Sequence, residues 1–348
     1  MNVFMLALIA GKIACDALCS VLSRSKSQSG VVFGTVNNDE SATMRRLIIV
    51  TFSWLLCLYL PAANAADTPP RGQREEHRGA LFKVQDAHHT LYLFGTIHVG
   101  AANFYPLEPR VMQALEQAPA IALEIDPKKT PAMQAAVLRY GFYPEGQSYQ
   151  TDLSPQLQQQ LQAALKKYNV PPEAVARFRP WMIASLLTVQ EFGSKGYRAD
   201  LAVDSHLADF ITKRNKPVIE LEGAETQLAL FGALSRQQQS LLLEDTLKEL
   251  DDPDSAARVV ELAEFWRTAN LSGLQGLLDE MAGDGSFVGR FTKDVLLDQR
   301  NPALAERIGG LLKSRDRIFA AIGILHLVGP TSVPALLQRR GFKVERIY

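Results

Sequence analysis

Residues 91–100 read LYLFGTIHVG, and residues 319–329 read FAAIGILHLVG. Each is an apolar run that leads into Gly-x-x-His, at Gly95 and His98 in the first and at Gly323 and His326 in the second. With 23 Gly and 6 His among 348 residues, chance alone predicts about 0.4 such matches. Two matches, both directly behind strand-like runs, call for a common explanation. A glycine at the end of a strand permits a positive φ and a sharp exit, which would turn the histidine three residues on back over the strand end. The competing reading is structural: each glycine ends a strand and each histidine caps a local loop.

Upstream of the first motif, 81–84 and 90–94 read as two strands around the turn Gln85-Asp86-Ala87. Downstream, Pro109 opens the helical stretch PRVMQALEQA, with Val111, Leu115 and Ala118 on one face. Pro119 stops it before the apolar run AIALEI at 120–125. Strand, helix-length crossover and strand form the signature of a parallel β-α-β unit. That logic places Glu124 on the strand beside the one preceding His98. The middle of the chain is helical. Leu157, Leu161 and Leu165 recur behind a Ser154-Pro155 start, another helix runs from Pro180 to Glu191 with Trp181 as a core anchor, and a third from Asp204 to Lys213. A strand at 216–221 (KPVIEL) follows. From 235 to 313 almost everything has helical period, with breaks at Asp252-Pro253 and around Gly283 to Gly285. The chain closes with strand 318–322, helix 334–340 and strand 342–347. This order predicts an α/β fold, with a mixed, mostly parallel sheet built from both ends of the chain and a largely helical middle.

The strand ends carry the chemistry. The run before Gly95 delivers His98, AIAL delivers Glu124 and Asp126, PVI delivers Glu220 and Glu222, and FAAI delivers His326. Ligands of open parallel sheets bind at that carboxyl edge. Two imidazoles and a carboxylate suit a divalent transition metal (zinc, manganese or cobalt) with an open position for water, and a nearby glutamate would serve as general base. Strand alternation puts Glu220 and Glu222 on one face, so both stay candidates. In Asp298-Gln299-Arg300-Asn301, Asn301 reads as a helix cap, and Arg300 as a fixed cation for an anionic group. His77, His88 and His89 fall in a linker or hairpin and read as exposed; His206 reads as packing. There is no His-Glu-x-x-His, no Gly-x-Ser-x-Gly elbow and no Walker loop.

The start of the chain is of another kind. From Met44 it reads MRRLIIVTFSWLLCLYLPAANAADTPP: Arg45 and Arg46 form a positive n-region, 47–60 an apolar h-region, and Ala63-Asn64-Ala65 a cleavage signal. The apolar stretch is short for a membrane span. We therefore expect a signal peptide at 44–65, a gene-model extension at 1–43, a linker at 66–79 and one domain at 80–348, exported and most simply periplasmic, with no stable membrane span after cleavage. Cys15, Cys19 and Cys57 all precede the cleavage point, which excludes disulfides and thiolate sites in the mature chain. The formal net charge is zero and no basic face is advertised, so nucleic acid is not an expected partner.

Taken together, LYLFGTIHVG, ALEID, RPW at 179–181, IELEGAETQ, DQRN at 298–301 and AIGILHLVGPTSVPALLQRRGFKVERI resemble the TraB/GumN family, which includes bacterial exported proteins and TIKI-type metalloproteases. The resemblance covers nearly the whole mature chain. It implies a fold like that of erythromycin esterase and a haem-binding lipoprotein group. It also implies a metal-dependent hydrolase site held by His98, Glu124 and His326, with Glu222 and Arg300 in support and a peptide or protein as candidate substrate. One departure is visible: Ala202 stands where the family usually carries a glycine ahead of Asp204. The alternative function on the same residues is a non-catalytic haem- or peptide-binding protein. Substrate, metal identity and oligomeric state are left open by the sequence.

Overall fold

The structure is a computed structural model that describes residues 78–348. The expected extension, signal peptide and nearly all of the linker, with His77 and the three cysteines, lie outside the described residues. Six strands form one sheet: β1 (Leu81–Gln85), β2 (Thr90–Thr96), β3 (Ile121–Leu123), β4 (Val218–Glu220), β5 (Ile318–Gly323) and β6 (Lys343–Arg346). Their spatial order is β4-β3-β5-β2-β1-β6. The pairs β4/β3, β3/β5 and β5/β2 are parallel, while β1 pairs antiparallel with β2 and with β6. The sheet is thus mixed and mostly parallel, with helices around it, as the order of elements predicts.

One neighbour differs from expectation. Glu124 follows β3, and β3 does not lie beside β2; β5 is inserted between them. The crossover through the Pro109–Gln117 helix skips one position, which the strand from the far end of the chain fills. β5 is the right strand for that place: its run IFAAIG is buried on both faces, the pattern of a central parallel strand. β2 also runs two residues further than expected, because Gly95 and Thr96 still pair with Ile322 and Gly323.

The helical middle has physical starts and stops. Ser154 and Ser235 cap their helices by accepting backbone N–H groups, and Ser235 with Gln238 completes a capping box, each cap stabilising by about 1 kcal/mol. The Pro180–Ser194 helix is buried on nearly every face, so it is the axis of the helical layer. Trp181 on it is fully buried, stacks on Phe231 with centroids 4.7 Å apart, and donates Nε1–H to the Tyr140 carbonyl. That bond satisfies the polar end of an otherwise apolar anchor. A stretch the sequence does not announce is the π-helix Phe291–Asp298, whose wider turn carries the chain into Arg300.

Candidate active site

β2 and β5 run in register side by side, Thr96 opposite Gly323, so both Gly-x-x-His segments leave the sheet at one edge. Positive φ plays no part: Gly323 has φ −50°, and Gly95 lies inside β2. Close approach is what requires glycine. A Cβ on Gly95 would stand 2.8 Å from Ile324 Cγ1 and 3.0 Å from Leu327 Cδ1, so the first motif's glycine is the space into which the second motif folds. At Gly323 the nearest atoms to a built Cβ are Glu124 Oε1 and His326 Cδ2, at 3.4 and 3.7 Å.

Glu124 is the hub. Its Oε1 accepts the Gly323 N–H at 2.6 Å. Its Oε2 accepts from Arg300 Nη2 at 2.6 Å and from Gln227 Nε2 at 3.0 Å, and lies 3.9 Å from His326 Nε2. Arg300 also donates Nε–H to Glu222 Oε1 at 3.0 Å, Nη2–H to Glu222 Oε2, and Nη1–H to the Leu296 carbonyl at 3.1 Å. Gln227 bridges the same two carboxylates, reaching Glu222 Oε2 at 2.8 Å. Two buried glutamates therefore share one guanidinium and one carboxamide, and the cluster keeps one net negative charge.

These contacts set the protonation states. Burial would raise the pKa of Glu124, but the Arg300 guanidinium, then the imidazoles of His326 and His98 and the Gly323 N–H, outweigh it and hold the carboxyl well below the usual range. Burial dominates at His326, whose pKa is pushed down to about 4 against the attraction of Glu124. Its ring is neutral at pH 7. Its Nδ1 lies 2.6 Å from Asn301 Oδ1, while its Nε2 is buried without a hydrogen-bond partner. His98 takes its place through a different element. The Val203 N–H bonds the Ile97 carbonyl at 3.0 Å, drawing the Val203–Thr212 helix against the first motif, and His98 Nδ1 lies 3.3 Å from Asp204 Oδ1. Ala202 adopts φ −58°, open to any residue, so nothing at this turn demands a glycine.

The edge thus gathers Glu124, Glu222, Arg300 and His326 into one hydrogen-bonded and ion-paired cluster, with His98 near enough to act on Glu124 and His326 electrostatically. Glu220 and Glu222 separate because β4 ends at Glu220 and alternation ends with it. Glu220 accepts from the Asp126 N–H and from Lys129 Nζ, away from Arg300. Among the described residues, no group of three or more His, Cys, Asp and Glu side chains stands ready as a metal cage; Arg300 and Gln227 engage the Glu124 oxygen nearest His326. Of the other histidines, His88 is exposed in the hairpin beside Asp86, and His206 packs against Tyr105 with the rings tilted and their centroids 4.3 Å apart.

Three participants escaped the sequence reading. Asn301 is no helix cap: its side chain donates to the Thr331 carbonyl at 2.9 Å and faces His326. Gln227, one turn beyond Glu222 behind Gly223, had a detectable signal as a carboxamide on the first turn after a strand-end glutamate. Asp204 is brought to His98 by a tertiary backbone contact that no local pattern reveals.

Comparison with known proteins agrees with this geometry in extent. The family model described as the TraB/PrgY/gumN family matches residues 80–346, from the start of the sheet to its last strand. The "Uncharacterized protein YbaP" of Escherichia coli (strain K12) is 27% identical over 247 residues, covering 71% of this chain and 87% of the relative. The protein of the same description from Shigella flexneri matches to the same extent. No solved structure matches.

Proposed function

The chain belongs to the TraB/PrgY/gumN family, and from the site it carries we propose that it is a metal-dependent hydrolase of the bacterial cell envelope, acting on peptide bonds. The observation that supports this most is the buried, neutral His326, whose Nε2 lacks a hydrogen-bond partner 3.9 Å from the ionised Glu124. An orphaned buried acceptor is costly unless something binds it. Neutral imidazole beside a carboxylate is the donor chemistry of zinc, manganese or cobalt.

His98, Glu124 and His326 would hold the cation. When bound, it supplies Lewis-acid polarisation of a carbonyl and a lowered pKa for water. The chain's own residues do the rest. The Gly323 N–H and Arg300 keep Glu124 ionised and oriented. Arg300, a cation fixed by two carboxylates and the Leu296 carbonyl, would offset negative charge developing on the oxygen of a scissile carbonyl. Glu222 anchors Arg300 and is the second carboxylate at hand to take a proton from water. A peptide or protein is the proposed substrate, and the periplasm the proposed site of action.

Metal content of protein purified without chelator tests the reading, in the parent and in His98→Ala and His326→Ala. Bound divalent metal in the parent, lost in both variants, is expected. Unchanged content in both variants refutes it. A metal-free parent that develops a Soret band with added haem, abolished by either substitution, would replace it with the haem-binding alternative.

A further inference from the structure

His326 is held at the end of a relay whose polarity can be read from its far end. The Thr331 hydroxyl donates to Asp298 Oδ1 at 2.6 Å, which fixes the loop after β5. The Thr331 carbonyl can only accept, so the amide NH2 of Asn301 must face it, as the 2.9 Å Nδ2 contact shows. That leaves Asn301 Oδ1 facing His326 Nδ1 at 2.6 Å. A carbonyl oxygen cannot donate, so the proton of this hydrogen bond belongs to the imidazole. A neutral ring has one N–H; with it on Nδ1, the lone pair is on Nε2, the atom that is buried without a partner beside Glu124.

The acceptor comes from the helix Asn301–Ser314, outside the Gly-x-x-His segments. We propose that Asn301 is a positioning residue that fixes the His326 imidazole in the Nδ1–H tautomer, with Nε2 the unprotonated nitrogen. In the segment DQRN, Asp298 then holds Thr331, Arg300 holds the two carboxylates and Asn301 holds His326, so three of its four residues serve the same few ångströms of space.

The inference takes its purpose from the metal reading, because a ring already in the right tautomer ligates without rearranging its protons. Its evidence is independent of that reading, and so is its test. Protein labelled with 15N-histidine and freed of metal is studied by long-range 1H–15N correlation, with His98→Gln and His326→Gln assigning the signals. The His326 ring is expected to show a pyrrole-type Nδ1 and a pyridine-type Nε2. Asn301→Leu should release His326 towards the Nε2–H form. Asn301→Asp, which keeps an acceptor, should retain the parent tautomer, and with the parent spectrum it decides the matter if the leucine variant does not fold. Cobalt titration should show about 10- to 100-fold weaker binding in Asn301→Leu. A parent spectrum with Nε2–H on His326, or an unchanged His326 tautomer in folded Asn301→Leu, overturns the proposal. A parent with the expected tautomer that takes up no cobalt upholds the tautomer lock and refutes the metal reading.

Discussion

Replacing Arg300 with methionine isolates the charge logic of the site. The guanidinium lies against Glu124 and Glu222, whose side chains are 8% and 6% exposed. Methionine fills much of the same volume and leaves both carboxylates without their cation. Gln227 and the Gly323 N–H remain as donors, which is too little to carry two buried negative charges. Removing one partner of a buried ion pair costs about 3–5 kcal/mol, and that is the stability loss expected near neutral pH by urea unfolding. The loss must also depend on pH. In the parent, Glu124 has a folded pKa well below its usual value of 4.5, burial being outweighed first by Arg300. Such a group contributes stability that is present above the unfolded pKa and fades as pH falls towards the folded one. In the variant, burial acts without the guanidinium and the folded pKa moves up. Ionised Glu124 then destabilises at neutral pH, and protonation relieves the penalty as pH falls. The gap between parent and variant should therefore narrow towards about pH 4, and adding Glu222→Gln should recover part of it at neutral pH. A loss below about 1 kcal/mol, the scale of a surface pair, or a gap that does not change with pH, would refute the reasoning.

Gly100→Ala puts a Cβ 1.9 Å from the Leu201 carbonyl oxygen, which is backbone and cannot swing aside; it should cost at least about 1–3 kcal/mol in denaturant unfolding. Gly276→Ala, exposed on the Leu271–Gly283 helix with nothing within 4 Å of the new carbon, should instead raise stability by about 1 kcal/mol. Sequencing the amino terminus of protein expressed from the full chain should find a first residue near Ala66, and recovery of Met1 would end the proposal of a cleaved signal.

The legible parts of this protein were those governed by period and punctuation. Alternation and apolar runs located all six strands, and Pro109, Pro155 and Pro180 marked helix starts. The strand-end rule brought His98, Glu124, Glu222 and His326 to one edge. What stayed hidden depends on contacts between segments remote in sequence. Nothing local says that β5 enters between β2 and β3, because a crossover that skips a position has the same sequence as one that does not. Glu220 and Glu222 are equivalent under alternation and part only because the regular ladder ends at Glu220, while Leu221 and Glu222 still donate backbone N–H groups to Leu123 and Glu124. The glycines were read as conformational devices, whereas the structure uses the absence of a side chain at Gly95 to seat Ile324 and Leu327. Asn301 looked like a cap because it opens a helix; its oxygen is drawn away by an imidazole twenty-five residues further on.

The place of β5 sets an order of events for a growing chain. The strand that separates β2 from β3 is among the last segments synthesised, so a polypeptide halted before Ile318 has a sheet missing its middle strand as well as the edge strand β6. Neither half of the parallel core can close, and Glu124 has no Gly323 N–H to meet. Completion of the carboxyl end is thus the event that turns two incomplete fragments into one folded body.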